Sequence, residues 1–116
     1  MQVEDLTGDG LVRTMATLAN PHRLHVIAAL TTGRNYVSQL ARDLGISRAL
    51  LQVHLRRLEA VGLVSSNLEV SEDGKAMKFY ELTPFDLRLT PPAIAALAVT
   101  LGDGAAGTGE TTTGDT

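Results

Sequence analysis

Two predicted helices on either side of a glycine-centred turn constrain the fold of this chain most. Residues 37–63 read VSQLARDLGISRALLQVHLRRLEAVGL. Gly45 stands where the first helix must end, through a left-handed conformation that glycine adopts at little cost. Ser47 is a good N-cap for the second helix, and Gly62 ends that helix as Gly45 ends the first. Ala41 is small where the second helix must pass closely. This spacing predicts a helix-turn-helix unit.

The second predicted helix, residues 47–61, has two chemically different faces. At about 100° per residue, its apolar side chains share one arc with a histidine, and this core face comprises Leu50, Leu51, His54, Leu55, Leu58 and Val61. The opposite face comprises Arg48, Ala49, Gln52, Val53, Arg56 and Arg57. Guanidinium and amide groups pair with guanine and adenine edges, and small apolar groups contact thymine methyls. A solvated helix would more often alternate acids and bases, so this pattern favours a DNA-reading face.

The net charge of −3 hides an uneven distribution. Residues 21–66 hold six arginines against Asp43 and Glu59, so this part of the chain is basic and the flanks are acidic. A basic stripe on an acidic body favours specific docking of a polyanion over non-specific adhesion. It also predicts an affinity for nucleic acid that falls with salt.

The remaining patterns predict the elements around this unit. Residues 8–19 have helical periodicity, and Asn20 with Pro21 caps and starts a second helix that runs to about residue 30. Its expected inward face comprises Leu24, Ile27, Ala28 and Thr31. Residues 63–70 and 77–83 alternate as two strands around a turn at 71–74. The predicted fold class is therefore mainly α with a small β-hairpin wing, a winged helix-turn-helix.

Four segments resemble the successive signatures of ArsR-type winged-helix repressors. They are LANPHRLHVIAAL, YVSQLARDLGIS, LLQVHLRRLEAVGLV and KFYELT, and the resemblance covers residues 18–83. It implies a bacterial or archaeal transcriptional regulator that forms a homodimer and touches the flanking DNA backbone with its wing. It also implies that Ser47, Arg48, Gln52, Val53 and Arg56 face DNA. MarR-like and PadR-like winged helices share the scaffold and stay open as alternatives.

The chain departs from that family in two places. Some metal-sensing members carry a paired-cysteine motif where this chain has Tyr36-Val37-Ser38. Others use aspartate and histidine ligands on the last helix, but residues 91–101 of this chain contain neither. We therefore expect no metal and no cofactor. The wing tip carries Glu72 and Asp73, which phosphate would repel, so backbone contacts are expected from Lys75 and Lys78 instead.

The last predicted helix favours self-association. Thr90 is a plausible N-cap, and residues 91–101 are apolar almost all round, yet too short to cross a bilayer. With the first helix, this segment is the expected dimer interface, comprising Leu11, Val12, Met15, Ile94, Leu97, Ala98 and Leu101. Packing on its own domain alone is the other interpretation. A two-fold dimer reads half-sites about 10 bp apart, which predicts a near-palindromic operator.

Length and composition bound the domain organisation. We expect one winged helix-turn-helix domain over residues 1–101 and a disordered Gly/Thr-rich tail or linker over 102–116, GDGAAGTGETTTGDT. The chain has no cysteine, no signal-peptide pattern and no apolar run of membrane-spanning length. The cytoplasm is the expected location.

The histidines and hydroxyl groups do not predict an active site. His22 and His25 stand three residues apart, a spacing that can hold a metal, but no third ligand is evident nearby. His54 lies on the apolar face and is expected to donate to a backbone carbonyl. No serine or carboxylate is placed as a nucleophile, so an enzyme is not expected.

Two functions from different classes remain. The favoured one is a sequence-specific, homodimeric DNA-binding transcriptional regulator, expected to be a repressor, whose partners are double-stranded DNA and a second copy of the chain. The alternative is a winged-helix protein–protein interaction module without specific DNA binding, suggested by the acidic body and wing tip. An apolar small-molecule effector between the terminal helices stays open, and no membrane partner is expected.

Overall fold

A computed structural model describes residues 1–102 of the 116-residue chain. A short 3₁₀ helix, Val3–Asp5, is followed in chain order by α1 (Gly8–Leu18), α2 (Pro21–Leu30), β1 (Asn35–Tyr36), α3 (Val37–Leu44), α4 (Arg48–Ala60), β2 (Val64–Val70), β3 (Ala76–Leu82) and α5 (Pro91–Ala98). Among these helices, none combines the length and apolarity needed to span a bilayer. The predicted tail, apart from Gly102, lies outside the described residues.

The described residues form two compact units. One comprises Met1–Met15 with the described residues from Phe85 onward, and the other is Ala16–Pro84. The second unit holds α2, α3, α4 and the sheet, and its fully buried side chains are Val26, Leu40, Leu51, Leu55, Leu58, Leu63 and Val64. This arrangement confirms the predicted mainly α fold with a β-hairpin wing. The single domain over 1–101 spans both units and stays a prediction.

The helix-turn-helix forms as its turn residues predict. Gly45 has φ 68°, and the next amide, of Ile46, donates back to the Ala41 carbonyl at 3.1 Å. Ser47 Oγ accepts the Leu50 N–H at 3.0 Å and caps α4. Gly62, with φ 79°, ends the second helix in the same left-handed way.

The sheet has the order β1-β3-β2 and is antiparallel throughout. The hairpin pairs Val64 with Leu82 at its base and Val70 with Ala76 at its tip, as the alternation predicts. The short β1 strand was not predicted, because two residues are too few to display alternation. It fixes the start of α3 against the wing.

The inward face of α2 differs from the predicted one. Leu24 is 54% exposed, and Ala28 and Thr31 are exposed as well, whereas Val26 and Leu30 are buried. Relative to the predicted face, the inward face is rotated around the helix axis, because it includes the half-buried Arg23 together with Val26 and Leu30. An inward-facing arginine cannot be recognised from apolar periodicity, which assigned this face to leucine instead.

In the other unit, the N-terminal residues and the last described segment are joined by backbone and hydroxyl groups. Gln2 forms a parallel bridge with Asp86, and the Gly8 N–H donates to Thr100 Oγ1 at 2.6 Å. A β-carbon on Gly8 would lie 2.5 Å from the Leu97 carbonyl oxygen, so this position requires glycine for close approach.

The terminal helices expose much of the predicted dimer interface. Thr90 caps α5 as predicted, accepting the Ala93 N–H at 3.2 Å, and α5 ends at Ala98, before the predicted residue 101. None of the residues of α5 is buried. Of the predicted interface residues, Val12, Met15, Ile94, Ala98 and Leu101 are exposed, Leu97 is half-buried, and Leu11 is already buried within the single chain.

Candidate nucleic-acid interface

The predicted outer face of α4 is open to solvent. Its exposed residues are Arg48, Ala49, Gln52, Val53, Arg56 and Arg57, next to the exposed cap Ser47. Within residues 1–102, the three arginines have no hydrogen-bond or ion-pair partner. A guanidinium presents a planar fork of donors, so unpartnered arginines are free to bind phosphate or guanine edges. The DNA contacts themselves stay a prediction.

The buried face of α4 is narrower than predicted. Leu51, His54, Leu55 and Leu58 are buried, at the spacing of one helical stripe. Val61 is only half-buried, and Leu50 is 39% exposed because it lies at the edge of this stripe in the first turn. Leu50 was therefore wrongly assigned to the core face.

A groove of about 380 Å³ separates α4 from the wing. Arg48, Gln52 and Arg56 line it from the helix, and Lys78 lines it from β3. Among the described residues, its lining contains no carboxylate. The fold thus brings the predicted arginine stripe and one of the two predicted wing lysines to a single cationic groove, while Lys75 is not part of that lining.

Among the groove residues that the sequence analysis missed, two bear hydroxyl groups and lie near the start of α3. Tyr36 and Ser38 line the groove from β1 and the first turn of α3. They lie at the start of the helix-turn-helix segment but gave no DNA-binding signal of their own, because their position at the groove depends on the pairing of β1 with β3. Their hydroxyl groups can donate to an anion in the groove.

The wing tip is an acidic turn that is held by hydrogen bonds. Ser71 Oγ donates to the Asp73 carboxylate, and the Lys75 N–H donates to the same carboxylate at 3.4 Å. These hydrogen bonds, that from Ser71 first, hold the pKa of Asp73 below its usual value. The tip therefore stays negative, and its avoidance of phosphate stays a prediction.

Arg34 is bonded to residues of the hairpin. It forms an ion pair with Glu69 whose second contact, Nη2 to Oε1, is 3.2 Å, and its guanidinium lies 4.2 Å from the Phe79 ring centroid. The hydrogen bond to Glu69 raises the pKa of Arg34 and lowers that of the carboxylate. Arg34 therefore adds to the basic count of the sequence but not to the free cations of the groove.

His54 does not donate to a backbone carbonyl as predicted. Its Nδ1 accepts from Arg23 Nε at 3.2 Å, and its Nε2 is buried without a hydrogen-bond partner among the described residues. The ring of His22 stacks on it at a centroid distance of 5.4 Å. Within residues 1–102, no three histidine, aspartate or glutamate side chains are arranged to hold a metal ion.

Comparison with known proteins assigns this chain to a family. Residues 20–66 match the family model described as bacterial regulatory protein, arsR family. The chain is similar to the HTH-type transcriptional regulator MJ0229 of Methanocaldococcus jannaschii, 33% identical over 75 residues, which are 65% of this chain and 78% of that protein. The chain belongs to the ArsR family.

One further relative and one solved structure show how much of this chain is shared with other regulators. The transcriptional regulator CmtR of Mycobacterium tuberculosis is 35% identical over 65 residues, so the match spans 56% of this chain and about half, 55%, of CmtR. The homodimeric winged helix-turn-helix DNA-binding domain Mb0332 of Mycobacterium bovis superposes with a TM-score of 0.57 at 22% identity. That alignment covers 78% of this chain and 74% of the Mb0332 domain, and it shows the shared fold.

Proposed function

We propose that this ArsR-family protein is a sequence-specific DNA-binding transcriptional regulator that places α4 in the major groove. The observation that carries the proposal is that Arg48, Arg56 and Arg57 on the outer side of α4 are exposed and have no partner within residues 1–102. Two of them line a groove with Lys78. An α-helix fits the major groove of B-DNA, and arginine pairs bidentately with guanine there.

The residues of the interface divide into two roles. Arg48, Gln52 and Arg56 read base edges, and the methyl groups of Ala49 and Val53 meet thymine. Ser47, Arg57, Lys75 and Lys78 contact the phosphate backbone and fix the register without carrying sequence information. This division predicts that the first group determines which duplex is bound and that the second determines the salt dependence.

The regulator acts as a homodimer through α1 and α5. The exposed side chains of Val12, Met15, Ile94, Ala98 and Leu101, with the half-buried Leu97, form the contact, and Leu11 supports it from within the single chain. A two-fold axis then presents two α4 helices to a near-palindromic operator. We further propose that the protein is a repressor in the cytoplasm and is not an enzyme. An apolar effector between the terminal helices is compatible with this arrangement.

The test is selection from a pool of randomised duplexes, followed by affinity measurements on the selected duplex. We expect a near-palindromic sequence, and Arg48→Ala with Arg56→Ala should weaken its binding by about 100-fold or more. Arg88→Ala removes an exposed arginine outside the winged unit and is the matched control. Unchanged affinity of a folded double variant, or failure to select any sequence, would overturn the proposal.

A protein–protein interaction module is the second candidate. The wing exposes Leu68 and Val70 at 65% and 70%, next to the acidic tip at Glu72 and Asp73. Exposed apolar side chains rimmed by charge are typical of protein-binding surfaces. This function would be favoured if no duplex is selected and a protein partner co-purifies in a manner that Leu68→Ser with Val70→Ser abolishes.

A further inference from the structure

A side-chain hydrogen bond joins α2 to α4 beneath the DNA-facing surface. Arg23 Nε donates to His54 Nδ1 at 3.2 Å, and Arg23 Nη1 donates to the Thr17 carbonyl at 3.1 Å. His54 is only 5% exposed, and Arg23 is half-buried. One arginine therefore connects the end of α1, the first turn of α2 and the middle of α4.

This hydrogen bond fixes the protonation state of His54. Arginine has only donors, so His54 Nδ1 must carry a lone pair and the ring proton must lie on Nε2. His54 Nε2 is buried and has no hydrogen-bond partner within residues 1–102. A second proton on the ring would sit on Nδ1, where it would face the Arg23 N–H instead of accepting from it. The hydrogen bond and the protonated ring are therefore mutually exclusive.

The groups around His54 oppose a positive charge. Arg23 and the stacked ring of His22 both come from α2. Burial, and then these two groups, lower the pKa of His54. No carboxylate contributes to this shift.

The acidic and basic groups of the other elements packed on α4 have partners elsewhere. On α3, Asp43 accepts from Asn35 and Gln39, and Arg42 donates to Gln39. On β2, Glu69 pairs with Arg34, and on α4 itself Glu59 accepts from Ser66 Oγ. Among the described residues, a protonated His54 would therefore have no unpaired acidic group on these elements to offset its charge.

We propose that Arg23 is a positioning residue for α4, acting through His54, and that protonation of His54 releases this contact and weakens DNA binding. The inference rests on the proposed function. Gln52 and Arg56 lie two residues to either side of His54 on the same rigid helix. A shift at the buried histidine therefore moves the base-reading side chains, and contacts to bases tolerate little displacement.

The test compares the pH profiles of DNA binding by the wild type and His54→Asn at constant salt, on the selected duplex. The asparagine Oδ1 can occupy the place of Nδ1 and accept from Arg23, but it does not titrate. Between about pH 7.5 and 5.5, we expect the wild type to lose about tenfold in affinity and His54→Asn less than about threefold. His25→Asn replaces an exposed histidine of α2, the helix that carries Arg23; it is the control and should keep the wild-type profile.

Two further measurements separate positioning from mere folding. Arg23→Leu should weaken binding at about pH 7.5 by about tenfold while circular dichroism stays unchanged, since one hydrogen bond to a buried group is lost. Nitrogen-15 shifts of the imidazole should show a neutral His54 ring protonated at Nε2 at that pH. A ring protonated at Nδ1, or the same pH profile in His54→Asn as in the wild type, would overturn the positioning role.

The result of the duplex selection keeps the two proposals apart. If no duplex is selected, the proposed function fails, and the effect of His54 on DNA fails with it. If a duplex is selected and His54→Asn and the wild type respond identically to pH, only the positioning role fails.

Discussion

The arginines of the basic segment fall into two regions that the sequence does not distinguish. On the outer face of α4, Arg48, Arg56 and Arg57 are exposed without partners among the described residues. In α2, α3 and the approach to β1, the other three are bonded within the chain: Arg23 to His54, Arg34 to Glu69 and Arg42 to Gln39. A local count of charge therefore gives twice as many arginines as are free to bind DNA.

The difference shows that one face of α4 is available to bind DNA and that the other packs in the core. The outer face carries free donors, whereas the inner face is packed with leucines and holds a neutral histidine. Truncating a packed leucine should therefore lower stability, whereas truncating an outer-face side chain should weaken DNA binding and leave stability nearly unchanged. The predictions below test that separation.

The largest effect is expected on the inner face. Leu55 is fully buried, so Leu55→Ala should lower the free energy of unfolding by about 2–5 kcal/mol. Val53→Ala, a neighbour that is 40% exposed, should change it by no more than about 0.5 kcal/mol but should weaken binding to a duplex with thymine at its contact. Urea unfolding and duplex titration check both. Comparable losses of stability in the two variants would contradict the view that the two faces of α4 have separate roles.

The buried histidine gives the next effect. Because its pKa is lowered in the folded state, the unfolded chain binds more protons than the native chain as the pH falls. The contribution of His54 to stability is therefore complete above the unfolded pKa of about 6.5 and declines as the pH falls from there toward the folded value. The decline should be smaller than the loss from Leu55→Ala.

Urea unfolding at several pH values measures this contribution. We expect the free energy of unfolding of the wild type to decline relative to that of His54→Asn as the pH falls below about 6.5. Parallel curves for the two proteins would show that His54 is not the group responsible.

The helix ends and caps could be predicted from the sequence, but the side-chain contacts between segments far apart in the chain could not. Gly45, Ser47 and Thr90 act within one helix turn, and each ends or caps its helix as predicted. Their conformations depend only on neighbouring backbone groups.

The failures concern contacts over long sequence separations. Arg34 meets Glu69 across 35 residues, and Arg23 meets His54 across 31. Apolar periodicity reports neither contact, since it treats every arginine as a surface residue. For that reason it placed Leu24 inside and left Arg23 on the surface. The exposed DNA-facing stripe was predictable because it depends on one helix alone.

A smaller effect distinguishes free from bonded arginines in solution. Arg57→Ala removes an unpartnered cation, so it should weaken binding to all duplexes alike and reduce the slope of log affinity against log salt by about 1. Arg42→Ala removes a cation that donates to Gln39 at 2.6 Å, and we expect little change in the slope. Salt titrations of the two variants on one duplex give the comparison. Equal slopes would mean that the intramolecular bonds do not withhold charge from DNA.

The smallest effect is expected at Arg34. Its ion pair with Glu69 is exposed, and exposed pairs contribute little to stability because solvent and salt screen them. Arg34→Ala should therefore leave urea unfolding nearly unchanged. It should weaken DNA binding slightly, because the pair and the Phe79 contact hold the hairpin that carries Lys78. Arg34→Met keeps apolar contact with the ring but not the charge, so partial recovery of affinity in that variant would assign the effect to packing. A loss as large as that of Arg48→Ala with Arg56→Ala would instead place Arg34 on the DNA and remove the distinction between the two regions.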